Sequence, residues 1–183
     1  MRLSCLNGSF WTHYDGGSGE QLQPADQVNA LDRLHAGMRN VDVATPHFTD
    51  RVAEAEHLVA NSARAPGLDG AGRALPLDTL GSARQTIDRA NATEQLLHGE
   101  PHPGNVLNTA EGPRFIDLET CCRGLVEFDL AHVPRDVFRR YPNVDHDLLH
   151  EYRRLVHAMV AAWRWDVDDQ FPDGLRHGHN ILD

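Results

Sequence analysis

A mainly α-helical α+β body with one small β-insert is the fold class this sequence predicts. Three observations carry it. Apolar residues recur at helical spacing in four stretches of the chain. Between the third and fourth stretches the pattern breaks into short apolar pieces, "QLL", "NVLN" and "RFIDL", separated by turn residues. The chain of 183 residues, 40% hydrophobic and 24% charged, is long enough to bury a core as one domain.

In chain order, residues 8–14, "GSFWTHY", read as a short strand that stops at "DGGSGE", a flexible connector. The glycines there do not form a phosphate loop, because the Gly-x-x-x-x-Gly-Lys-Ser/Thr order is missing. From Asp26 the period changes: Val28, Leu31, Leu34, His35 and Met38 share one helical face. This places a boundary between residues 1–25 and a helical body over 26–183. A second helix near 50–61 groups Val52, Ala55, Leu58 and Val59. "RAPGLDGAGRALP", residues 64–76, reads as a loop. A third helix follows, with Leu77, Leu80, Ala83, Ile87 and Ala90 in register. The last helix is capped by Asp145 and carries the stripe Leu148, Tyr152, Leu155, Met159 and Trp163.

Composition excludes several classes. The formal net charge is −10, and all 17 basic residues are arginine. An acidic chain with scattered arginines lacks the positive face that phosphate backbones require, so a nucleic-acid partner is not expected. The acidity would suit a cationic substrate, although simple solubility explains it as well. Three cysteines, two of them vicinal (Cys121 and Cys122), do not make a disulfide framework. No signal-peptide pattern opens the chain and no apolar run is long enough to span a bilayer. A cytoplasmic protein with no membrane partner is the expectation.

Chemistry concentrates in residues 96–117. In "NVLNTAEGPRFID" two four-residue runs, 105–108 and 114–117, flank a five-residue loop, and a hairpin so built opposes Asn105 to Asp117. Opposed side chains share a face with β-carbons about 4.5–5.5 Å apart. An amide oxygen beside a carboxylate suits Mg²⁺, which takes few protein oxygens and fills its shell with water and phosphate. A tight hairpin with a polar end explains the pair equally well. Upstream, "HGEPHPGN" places Glu100 five residues before Asn105, across a loop stiffened by Pro101 and Pro103. Such a loop can hold a carboxylate within reach of a proton to be removed.

The combination of "HGEPHPGN" with "FIDLE" resembles the aminoglycoside phosphotransferase and choline kinase family, relatives of the protein kinases. The family pattern His-Gly-Asp-x-x-x-x-Asn, then Ile-Asp, then Gly and Asp-Leu, falls on His98, Gly99, Glu100, Asn105, Asp117, Gly124, Asp129 and Leu130. "ALDRLHAG" (30–37) is similar to the family's first large-lobe helix, and "FWTHY" (10–14) to the hinge strand beneath the nucleotide. The resemblance implies a kinase-like large lobe using ATP and Mg²⁺ to phosphorylate a small-molecule hydroxyl. Glu100 would orient or deprotonate the acceptor, and Asn105 and Asp117 would hold the metal. Trp11 and His13 would lie against the nucleotide. His98 and Asp129 would brace the loop, with His102 beside it. Glu119, two residues past Asp117, would share its face if the strand continues.

Two departures from the pattern matter. The catalytic carboxylate is usually Asp, and about an ångström of displacement can cost roughly a hundredfold in rate. Kinase-type sites also grip phosphates with a lysine from a small lobe, and this sequence contains no lysine. The small ATP lobe is therefore expected to be largely absent, turnover of the chain alone low, and the exposed face a route to homodimerisation. Two other classes compete. One is a degenerate kinase-like binding module. The other is a transition-metal hydrolase built from His98, His102, Cys121, Cys122 and His132, for which no zinc spacing fits. The acidic segment "DVDDQFPDG" lacks the EF-hand order, leaving Asp168 and Asp169 as weak candidates for contacting a cation.

Overall fold

The computed structural model describes residues 22–90 and 92–174. The strand and connector expected in residues 1–21, with Trp11 and His13, lie outside the described residues. The rest is helical, with two small antiparallel sheets.

Helix α1 (Pro24–Met38) starts on a proline at its first turn, where the missing N–H costs nothing, and buries Val28, Ala30, Leu31, His35 and Met38. Helix α2 (Phe48–Ala60) is capped reciprocally: the His47 ring accepts from the Thr49 N–H, and Asp50 accepts the His47 N–H at 3.0 Å. Helix α3 (Gly70–Ile87) begins seven residues earlier than its apolar period suggests. Asp69 caps it through the Gly72 N–H at 2.7 Å, and Pro76 is carried inside, buried against the core. Pro76 gives up one backbone hydrogen bond of the helix. Most of the second half of the expected 64–76 loop is therefore helix.

Helix α6 (His146–Arg164) is the central pillar, packed on α2, α3 and on α4 (Val126–Ala131). Its stripe is wider than expected, with Leu149, Val156, Ala158, Ala161 and Ala162 buried as well. Its N-terminus is fixed by Asp145, whose Oδ1 accepts from the Asp147 and Leu148 N–H groups at 3.1 and 3.0 Å. Asp145→Ala should cost about 1 kcal/mol of unfolding free energy, read as a lowered urea midpoint at unchanged slope. Three rings tie α2, α4 and α6 together: Phe48 lies 5.2 Å from Phe128 and 5.4 Å from Tyr152, centroid to centroid, with Phe128 and Tyr152 at 5.9 Å. All three side chains are essentially excluded from solvent.

The sheets sit at one end of this core. Strand β1 (Gln95–Leu97) pairs antiparallel with β4 (Cys122–Gly124), Leu97 opposite Cys122. Strand β2 (Val106–Thr109) pairs with β3 (Gly112–Phe115). The chain segment between β1 and β2, and the one between β3 and β4, are thereby held side by side. Among the described residues no helix is long and apolar enough to cross a membrane.

Candidate functional site

The loop following β1 is built around one buried carboxylate. Asp129, on α4, accepts the backbone N–H groups of His98 (2.9 Å, Oδ2) and Gly99 (2.8 Å, Oδ1) and the His35 Nε2–H at 2.9 Å. Burial alone would push Asp129 upward in pKa. The His35 bond and charge and the two N–H groups outweigh it, and the group stays below the ordinary carboxylate value. The other His35 nitrogen lies 2.7 Å from the Tyr141 hydroxyl. The chain Tyr141–His35–Asp129 thus runs from the end of the short helix α5 (Arg135–Phe138), through α1, to the loop.

His98 is a rivet with a defined tautomer. Its Nε2–H donates to the Ile116 carbonyl at 2.8 Å, so Nδ1 is free to accept the Glu100 N–H at 3.3 Å. A neutral imidazole thereby joins the residue before Asp117 to the backbone of Glu100. The Thr120 hydroxyl adds a second tie, 2.9 Å from the His98 carbonyl oxygen and 3.2 Å from that of Asp117. Asn105 ends the 3₁₀ turn Pro103–Asn105, and its Nδ2–H₂ donates to the Glu100 carbonyl at 3.0 Å, which commits the nitrogen and points to Oδ1 as the atom open to other partners. His102 is a cap, accepting the Gly104 N–H at 3.0 Å.

The hairpin differs from its expected register. Val106 pairs with Phe115 and Thr109 with Gly112, so the turn holds two residues and the ladder is displaced by one. Gly112 at φ 104° and the Thr109 hydroxyl bonding the Gly112 carbonyl at 2.8 Å close this tighter turn. Asn105 therefore opposes Ile116, whose N–H donates to the Asn105 carbonyl at 3.0 Å, and Asp117 is the next residue at the open end. A one-residue displacement would normally reverse a side chain's face. Here β3 has already ended: Asp117 adopts a left-handed conformation (φ 65°, ψ 49°), which removes it from strand alternation. For the same reason Glu119 does not share a strand face with Asp117. It sits exposed in the 3₁₀ turn Leu118–Thr120.

Glu100 has a partner that no local pattern announces. Its Oε1 is paired with Nη2 of Arg51, on α2, and the Arg51 guanidinium lies 5.1 Å over the Trp163 ring. Trp163 is half-buried and packed against the core. The acidic segment after α6 is internally engaged: Asp169 is bound by Arg164 Nη1 at 2.9 and 3.0 Å and Asp166 by Arg64, so Asp169 is not free for a ligand.

Among the described residues no three His, Cys, Asp or Glu side chains are grouped to hold a metal. Cys122 is buried, and its thiol is pushed up to about 12 by that burial, which opposes a thiolate ligand. Burial likewise holds His132 down to about 4, a neutral ring. A hard, mostly hydrated cation has different needs: one amide oxygen with its nitrogen tied back and one exposed carboxylate, as Asn105 and Asp117 offer, fit Mg²⁺.

Comparison with known proteins identifies the fold. The chain superposes on an ethanolamine kinase of Plasmodium vivax with TM-score 0.62 at 14% identity, covering 87% of this chain and 59% of that one. For a choline kinase of Streptococcus pneumoniae the values are 0.64, 13%, 88% and 64%. For a choline/ethanolamine kinase family protein of Mesorhizobium loti they are 0.58, 13%, 93% and 70%. An amicoumacin kinase, solved in complex with AMP-PNP, Ca²⁺ and its ligand, matches with TM-score 0.62 at 12% identity, covering 87% of this chain and 58% of that one. The chain thus spans about three-fifths of the length of the first of these structures, and the likeness is one of kinase-like fold. No curated protein matches it by sequence. The model of the phosphotransferase enzyme family matches residues 3–166. With nine-tenths of its length matched by that model and its fold shared with small-molecule kinases, the chain belongs to the phosphotransferase enzyme family.

Proposed function

We propose that this chain carries the large-lobe half of an ATP-dependent phosphotransferase acting on a small-molecule hydroxyl. The observation that supports it most is the closed ring of hydrogen bonds through His98, Glu100, Asn105, Ile116, Asp117 and Thr120. In this reading it would hold the backbones of Glu100, Asn105 and Asp117 on one frame. In this reading Asn105 Oδ1 and Asp117 would hold Mg²⁺, which neutralises charge on the phosphates when bound. Residues 1–25 would supply the hinge, with Trp11 and His13 against the nucleotide.

Glu100 receives the acceptor. Arg51 occupies Oε1, so Oε2 is the oxygen that takes the hydrogen bond of an incoming hydroxyl. Anchoring the longer carboxylate on a guanidinium stacked over Trp163 restores the positional definition that Glu loses relative to Asp. Phosphoryl transfer through a loose transition state asks mainly for orientation, so the pair is compatible with catalysis. The same pair favours a second reading, a silent binding module whose acid is permanently engaged. In the large-lobe reading the sequence supplies no lysine to grip phosphates, and affinity for nucleotide rests on the metal. Self-association through the hairpin end, where Leu107 and Leu118 are exposed, belongs to the same proposal.

Calorimetric titration of Mg²⁺–ATP into the full chain tests the reading. Binding should weaken at least about tenfold in Asn105→Ala and Asp117→Ala and persist in Glu100→Gln. Absence of binding, or binding indifferent to both substitutions, would overturn it. Phosphate transfer to amino-alcohol acceptors that disappears in Glu100→Gln separates the enzyme from the silent module.

A further inference from the structure

Several basic side chains of this acidic chain meet between two helices. On α6 His146, His150, Arg153 and His157 follow one another at intervals of four, three and four, a single helical face. Across from them α5 presents Phe138, with Arg135 just before the ring and Arg139 just after it. Between the two helices lies a cleft of about 680 Å³ lined mainly by Arg135, Phe138, Arg139, His146, His150 and Arg153, and among the described residues no acidic side chain lines it. Of the nearby acids, Glu151 pairs with Arg154 at 2.7 Å, and Asp136 lies outside the cleft, lining one hollow with Arg135, Arg139 and Arg140 and bordering the groove that includes Val106 and Asn108.

Arg153 is held in place, while Arg135 and Arg139 are exposed at the rim. Arg153 Cζ lies 4.9 Å over the Phe138 ring, and its Nη1 donates to the Val133 carbonyl at 3.3 Å. Among the described residues, none of Arg135, Arg139 and Arg153 forms an ion pair. Burial and then the charge of Arg135 hold Arg153 below the ordinary arginine value, and burial and Arg153 do the same to His157.

We infer that this cleft is a second ligand site, one that takes a compact polyanion of the pyrophosphate or oligophosphate type. Three permanent guanidinium charges call for an anion with several charges in a small volume, and their planar forks match phosphate oxygens in pairs. The cleft is far larger than one ion and falls in the range of small-molecule sites. None of residues 98–120 lines it, so it is distinct from the frame that holds Glu100, Asn105 and Asp117.

The test is calorimetric titration of sodium pyrophosphate into the full chain, with EDTA present to exclude the metal-dependent site and about 0.15 M salt to screen diffuse attraction. Saturable binding is expected. Arg135→Gln/Arg139→Gln, both exposed and so harmless to folding, should weaken it at least about tenfold, while Asp117→Ala and the exposed control Arg33→Gln leave it unchanged. No heat at millimolar pyrophosphate, or equal binding in the double variant, overturns the inference. Loss of binding in Asp117→Ala also overturns it, since the anion would then occupy the other site. So does a wild-type dimer that becomes monomeric in the double variant without any pyrophosphate heat, because the cleft is then an interface between copies.

Discussion

Replacing Gly99 with Ala should lower the unfolding free energy by about 3 kcal/mol or more and abolish Mg²⁺–ATP binding in whatever fraction remains folded. Gly99 follows the riveted His98 and has φ 92°, a region that L side chains rarely adopt. A β-carbon there would stand 2.0 Å from the Thr120 carbonyl oxygen and 2.9 Å from its carbon. Backbone atoms cannot yield as a side-chain tip does, so either the segment after Asp117 or the loop must move. Thr120 is the residue whose hydroxyl ties both together, and its displacement breaks the contacts to His98 and Asp117 at once. The cost therefore combines backbone strain with the loss of a buried network. Gly81→Ala is the control: it lies inside α3 with nothing within 4 Å of its β-carbon, so it should stabilise by about 1 kcal/mol. Urea titrations of the three proteins decide the matter. A Gly99→Ala protein as stable as wild type would mean that the loop and the Leu118–Thr120 turn are not in contact.

How much of this could be read beforehand depended on how local the cause was. The helices were legible because amphipathic spacing is a property of ten to twenty consecutive residues, and Asp145 and Val28 to Met38 fell where the period put them. His98, Glu100 and Asn105 were legible as a short pattern, and the structure gives His98 and Asp129 buried bonds within the loop. What escaped was set by contacts distant in sequence or by single backbone angles. Arg51 looks like the polar face of a helix until folding brings it 49 residues along to Glu100. His35 was counted with an apolar stripe, when it is the donor that keeps a buried carboxylate charged. The hairpin slipped by one because Gly112 and the Thr109 hydroxyl close a two-residue turn, and strand continuation to Glu119 failed on the left-handed angle of Asp117. Pro76 suggested a boundary where the Asp69 cap had already started the helix.

Asp129→Asn should be the most damaging isosteric change in the chain, costing about 3–5 kcal/mol against a typical total of roughly 5–15. The substitution alters no volume. It alters what the two terminal atoms can do. As a carboxylate, Asp129 accepts from His98 N–H, Gly99 N–H and His35 Nε2–H with no exposure to solvent. As an amide it has one oxygen for these donors and sets its own NH₂ against another, leaving at least one buried N–H unpaired. The carboxylate also supplies a pH signature that a shape effect would not. Its folded pKa is depressed, so the contribution is complete above the unfolded value near 3.9 and is lost as pH falls through the folded value. Urea midpoints measured from pH 7 downward should therefore fall more steeply below about pH 4 in wild type than in Asp129→Asn, whose curve lacks this one proton. Parallel curves would show that Asp129 is not the charged keystone of the loop, and the rigid frame around Glu100 would need another source.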